Sequence, residues 1–91
     1  MDICDWRIKI DEVDNKLLEL LNQRAGYALE IGRIKRKMGV PVYNPAREDQ
    51  IYDNIQESNP GPLSDEAIRR LFERIIDETR RLERELTEKE G

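Results

Sequence analysis

Apolar residues recur at heptad spacing from the start of the chain. Ile3, Ile10, Leu17, Ile31 and Met38 form one row, and Trp6, Val13, Leu20, Tyr27 and Ile34 form a second. Both rows fall on one stripe of an α-helix, because residues three and four apart share a face. No proline interrupts the pattern before Pro41, and Gly39 stands where a glycine ends a helix. The pattern therefore predicts a first helix from about Ile3 to about Met38. Gly26 and Gly32 inside it each cost about 1 kcal/mol relative to alanine, which predicts a close approach by another backbone or a ligand at these positions. Trp6 and Tyr27 read as core residues, and Cys4 as a bystander near the helix end.

Segment 39–44 reads as a loop, with Tyr43 lying over the surface between chains. Asn44 followed by Pro45 reads as an N-cap with proline at the first helical position. A short second helix carries Ile51 and Ile55 inward and stops at Ser58-Asn59-Pro60-Gly61-Pro62. Ser64 caps a third helix, Asp65 and Glu66 suit its first turn, and Leu63 is placed to staple onto Ile68. Ile68, Leu71, Phe72, Ile75, Ile76, Leu82 and Leu86 supply its apolar face, and Thr87 to Gly91 read as frayed. The expected fold is all-α, one domain over residues 1–91, with helices in the order long, short, long.

Length adds a constraint. A helix spanning residues 3–38 is about 54 Å long, whereas a compact chain of 91 residues has a diameter of roughly 30 Å. The first helix must project beyond its own domain with its apolar stripe uncovered. The simplest cover is the same helix of a second chain, which predicts an intertwined homodimer.

Composition narrows the chemistry. Hydrophobic residues at 37% against 40% charged, with 5% aromatic, describe a solvent-laced helical protein and not a β-sandwich. The absence of histidine removes the usual zinc ligand and any Ser/His or Cys/His arrangement, and a single cysteine excludes an internal disulfide. No metal site is expected. A net charge of −4 offers no general basic field for nucleic acid. No apolar run approaches the ~18 residues of a membrane span, and Met1 to Trp6 has neither the basic nor the apolar region of an export signal. The expected location is the cytoplasm, with no membrane partner.

Two cations then stand out. Arg24 occupies the apolar row between Leu17 and Ile31, where an unpaired arginine is costly and an anion must meet it. Lys35 lies within about 20° of the same azimuth and about 16 Å further along the axis. The pair can bracket a ligand roughly 6–10 Å long, with Ala28 and Gly32 leaving room between them. The alternative is that Arg24 snorkels to the surface and Lys35 belongs to a solvated run with Arg33, Arg36 and Lys37. Arg7 is about 25 Å from Arg24 and cannot share its ligand within one chain, but antiparallel pairing of two first helices brings it to the partner's site. Arg47 and Glu48 open the second helix. Thr79 and Glu83 are an i, i+4 pair along the face of Phe72, Ile76 and Leu86, with a solvated glutamate as the alternative reading of Glu83.

Arg7 to Asp14, Lys16 to Arg24, Glu30 to Lys35, Pro41 to Glu48, and Leu71-Phe72 with Ile75-Ile76 together resemble, in order and spacing, the all-helical class of chorismate mutases. The similarity covers about residues 3 to 86. It implies an intertwined three-helix homodimer and an isomerase that rearranges chorismate to prephenate on the route to phenylalanine and tyrosine, with no cofactor. It also implies roles. Arg24, and Arg7 from the other chain, grip the two substrate carboxylates with support from Arg47. Lys35 donates to the ether oxygen and a carboxylate, and Glu48 accepts from the ring hydroxyl beside Asn44. Thr79 bonds a carboxylate, and Glu83 is the second donor to the ether oxygen. Many relatives carry aspartate in place of Asn44 and others glutamine in place of Glu83, and a glutamate must be protonated to donate. The rival readings are an isochorismate pyruvate-lyase on the same fold and a non-catalytic dimerisation or regulatory module of an aromatic-pathway enzyme.

Overall fold

A computed structural model of the chain describes residues 1–90, with side chains as far as Thr87. These residues form α1 (Ile3–Met38), α2 (Pro45–Ser58) and α3 (Asp65–Glu90), the order and bounds the apolar pattern predicts for the first two. Local chemistry sets each boundary. Asp2 accepts a hydrogen bond from the Asp5 N–H at 3.0 Å while the Asp5 carboxylate accepts from the Asp2 N–H at 3.1 Å, a reciprocal cap that starts α1. At its other end Gly39 adopts φ 71°, which glycine enters without steric cost, and the Val40 N–H donates to the Lys35 carbonyl at 3.0 Å.

Asn44 caps α2 by accepting from the Arg47 N–H at 3.2 Å, with Pro45 in the first turn. Ser64 caps α3 by accepting from the Ala67 N–H at 3.1 Å. Leu63, expected to staple onto Ile68, is about half exposed. Asn59 ties the turn, its amide donating to the Leu63 carbonyl at 2.8 Å and to the Asp65 carboxylate at 2.9 Å. α3 is continuous through Glu90, where the sequence predicts fraying from Thr87. Thr87 is tied in by donating to the Glu83 carbonyl at 2.7 Å and accepting from Arg36. Gly91 lies outside the described residues.

α3 is the hub, packing against both α1 and α2. Its Ile76 and the Tyr52 of α2 are the buried apolar side chains, and the Arg69 guanidinium lies 4.2 Å from the Tyr52 ring centroid. α1 sets the long dimension of a body measuring 55 × 28 × 15 Å, with a radius of gyration of 16.4 Å. A compact chain of this length has a radius near 12 Å. Within one chain, Trp6 and Tyr27 are therefore not core residues: they are 55% and 63% exposed, on the same uncovered stripe as Ile10, Leu17 and Ile31. Within the described residues of one chain, nothing approaches within 4 Å of where a Cβ at Gly26 would sit. Among the described residues no helix is long and apolar enough to cross a membrane.

Candidate active site

A cleft of about 740 Å³ opens between the C-terminal half of α1, the loop after it, the first turn of α2 and the second half of α3. α1 supplies Arg24, Ala28, Gly32 and Lys35, which share one helical face. Gly32 is buried, and a Cβ there would rest in ordinary van der Waals contact with the Glu83 carboxyl at 3.7 Å, so α1 and α3 approach closely at this point. Lys35 is half-buried, and its ammonium donates a long hydrogen bond of 3.4 Å to the Val42 carbonyl. That bond is weak enough to yield to a better acceptor.

The start of α2 brings Asn44, Arg47 and Glu48 to the opposite wall. The Asn44 side-chain oxygen is engaged in capping, leaving its amide hydrogens for any contact in the cleft. α3 contributes Thr79 and Glu83 one turn apart. The Thr79 hydroxyl donates to the Ile75 carbonyl at 2.8 Å, so bonding an incoming carboxylate requires it to rotate away. Burial raises the Glu83 pKa above the ordinary carboxylate value, and this outweighs the opposing pull of Lys35, Arg36 and Arg80. A carboxyl with a raised pKa thus faces a cluster of cations.

All the sequence-predicted site residues except Arg7 line this one cleft. Arg7 is exposed near the far end of α1. Sequence reasoning passed over Arg36, Arg80 and Arg84 as site residues, and they line the cleft together with Tyr43. Arg80 carried a usable signal, lying four residues after the inward Ile76 and three before Glu83. In all, six basic and two acidic side chains line the cleft, within a chain of net charge −4. Among the described residues no group of three or more His, Cys, Asp or Glu is placed to hold a metal ion.

A three-helix chain with one cationic cleft against its longest helix defines a class, and comparison with known proteins identifies it. The family model for chorismate mutase type II matches residues 6–84, and the chain belongs to that family. It is 34% identical over 87 residues to the chorismate mutase of Methanocaldococcus jannaschii, an alignment covering 94% of this chain and 88% of that one. It is 43% identical over 81 residues to the bifunctional chorismate mutase/prephenate dehydratase of Neisseria gonorrhoeae, covering 89% of this chain but only 22% of that protein. Among solved structures, form II of the Thermus thermophilus chorismate mutase matches with a TM-score of 0.88 at 38% identity, covering 90% of this chain and 93% of that one. The Helicobacter pylori chorismate mutase in complex with prephenate matches with a TM-score of 0.83 at 27% identity, covering 92% and 91%.

Proposed function

We propose that residues 1–91 form one mutase domain that rearranges chorismate to prephenate as a cofactor-free isomerase. The observation that carries this reading is the cleft itself, in which an acidic chain gathers six basic side chains against two acidic ones. Such a concentration of positive charge suits a small dianion. The relatives named as chorismate mutases, and the one solved with prephenate, support the same assignment. A cytoplasmic setting accords with a biosynthetic role of this kind.

The chemistry asks little of side-chain reactivity. The ether C–O bond of chorismate breaks as a C–C bond forms between the enolpyruvyl methylene and the ring, with no atom gained or lost and no proton transferred. What the protein supplies is a folded, chair-like substrate conformer and donors where the ether oxygen gains negative charge. Arg24 and the partner subunit's Arg7 grip the carboxylates, since a guanidinium fork binds a carboxylate bidentately. Arg47 supports the anionic side, and Thr79 bonds a carboxylate once its hydroxyl turns. Glu48 accepts from the ring hydroxyl near Asn44, while Lys35 and protonated Glu83 donate to the ether oxygen.

Purified protein should consume chorismate in an ultraviolet assay and produce prephenate. Release of pyruvate from isochorismate, without chorismate turnover, would transfer the assignment to the lyase. Turnover of neither substrate would leave a non-catalytic module.

The uncovered α1 stripe supports an intertwined homodimer as the working unit. Because a chain burying so little apolar surface lacks a sufficient core of its own, unfolding and dissociation should coincide. Sedimentation should therefore find no stable helical species of 10.8 kDa, and finding one contradicts the dimer. The cross-chain site makes a sharper prediction. Arg7→Ala and Arg24→Ala should each be inactive, yet mixing them under exchange should form heterodimers with one site lacking both arginines and one intact. Activity should return. Mixtures that stay inactive despite demonstrated exchange would show that both arginines do not serve one site from different chains.

A further inference from the structure

Arg80 pairs with a carboxylate on the opposite wall of the cleft. Its Nη2 donates to Glu48 Oε1 at 2.5 Å, joining α3 to the first turn of α2. The same guanidinium lies 5.0 Å from the centroid of the Tyr43 ring, in the loop ahead of α2. Asp77, one turn earlier on α3, approaches its Nη1 at a looser 3.8 Å. The guanidinium is therefore held by a carboxylate and an aromatic face from two other segments of the chain, and Arg80, Glu48 and Tyr43 line the cleft whereas Asp77 does not.

The contact is asymmetric in a useful way. Glu48 is the more buried partner, its side chain 19% exposed against 41% for Arg80, so the glutamate depends more on the arginine than the reverse. Arg80 occupies Oε1 alone. Among the described residues Oε2 makes no hydrogen bond, and a carboxylate oxygen can accept more than one. A glutamate on a helix surface otherwise samples several rotamers, and ordering it on binding costs free energy. A guanidinium fixed against Tyr43 removes that freedom beforehand.

We infer that Arg80 is a positioning and specificity-determining residue that fixes the Glu48 carboxylate for the substrate's ring hydroxyl. This rests on the mutase reading above, in which Glu48 accepts that hydroxyl. Chorismate and isochorismate differ in where the hydroxyl stands on the ring, so an acceptor locked in one place discriminates between them, whereas a loose one does not. Arg80 itself touches neither the carboxylates nor the breaking bond of the substrate. Its hydrogen bond acts on catalysis through Glu48, and because its charge also lowers the Glu83 pKa, the variants are compared at a pH below the alkaline limb.

The test is a cycle of Arg80→Met, Glu48→Gln and the double variant, read as KM and kcat for chorismate and for an analogue lacking the ring hydroxyl. Arg80→Met should raise the chorismate KM about tenfold, the size of a charge-assisted hydrogen bond, with kcat within about twofold. In the Glu48→Gln background the same change should move KM by less than about twofold, and with the dehydroxylated analogue it should have no effect in either background. Arg80→Lys should recover part of the loss. Equal losses in both backgrounds, or an equal loss with the analogue, overturn the proposal: Arg80 then contacts the substrate directly or only supports the fold. Circular dichroism checks folding of each variant, and if Arg80→Met does not fold, Arg80→Lys is read through the same cycle by the same criteria. An inactive wild type refutes the mutase reading and this role together, whereas an active wild type with additive losses refutes this role alone.

Discussion

Replacing Lys35 by alanine should lower kcat by about 100-fold or more, with a much smaller change in KM. Lys35 stands on the face of α1 that lines the cleft, and the Glu83 carboxyl facing it from α3 is close enough for the lysine's charge to depress its pKa. In the proposed reaction the ether oxygen is a weak acceptor in the ground state and gains negative charge as its C–O bond stretches. An ammonium donor therefore binds the transition state more strongly than it binds the substrate, and its removal appears chiefly in kcat. The weak 3.4 Å bond to the Val42 carbonyl means that little folding stability is lost with it. Thermal unfolding should separate the two effects, with kcat falling and the melting temperature nearly unchanged. A loss confined to KM would reassign Lys35 to ground-state carboxylate binding, and a matching collapse in stability would make it structural.

Much of this arrangement was legible in the sequence, and what was missed has physical reasons. The extent of α1 follows from an unbroken apolar stripe and Gly39, both local signals. Arg24 is visible because a cation in an apolar row is an anomaly, and Lys35 because it falls close to the same azimuth. The spacing of Arg80 from Ile76 and Glu83 places it on the inward face, but that signal is masked because α3 is so rich in arginine and glutamate that another arginine reads as solvated surface. Its role depends on Glu48, 32 positions away in the chain, and no local pattern carries that contact. Tyr52 went unnoticed because it follows the apolar Ile51 directly, and only the packing of α3 shows which part of α2 is buried. Trp6 and Tyr27 occupy heptad positions that mark a packing face, and within the single chain that face is exposed. Gly32 and Gly26 look alike in sequence, yet only Gly32 faces another side chain, the carboxyl of Glu83.

Glu83 should give the enzyme an alkaline limb that a single substitution removes. Burial raises its pKa above the ordinary carboxylate value despite the cations Lys35, Arg36 and Arg80 around it. Below that pKa the group is a neutral acid and can donate to the ether oxygen; above it the group is a carboxylate and can only accept. Activity should accordingly be present at low pH and decline as pH rises through the raised pKa. The substrate brings two negative charges that neutralise the neighbouring cations, removing the influence that lowers the pKa, so protonation is favoured further in the complex. The limb in kcat, which reports the bound state, should then lie at higher pH than the limb in kcat/KM, which reports the free enzyme. Glu83→Gln keeps a donor at every pH and should retain activity with the limb abolished, while Glu83→Ala should lose about 100-fold in kcat at pH values below the limb. The pH profiles of the three proteins distinguish this role from that of a solvated surface glutamate, for which Glu83→Ala stays fully active and the wild-type and Glu83→Gln profiles coincide.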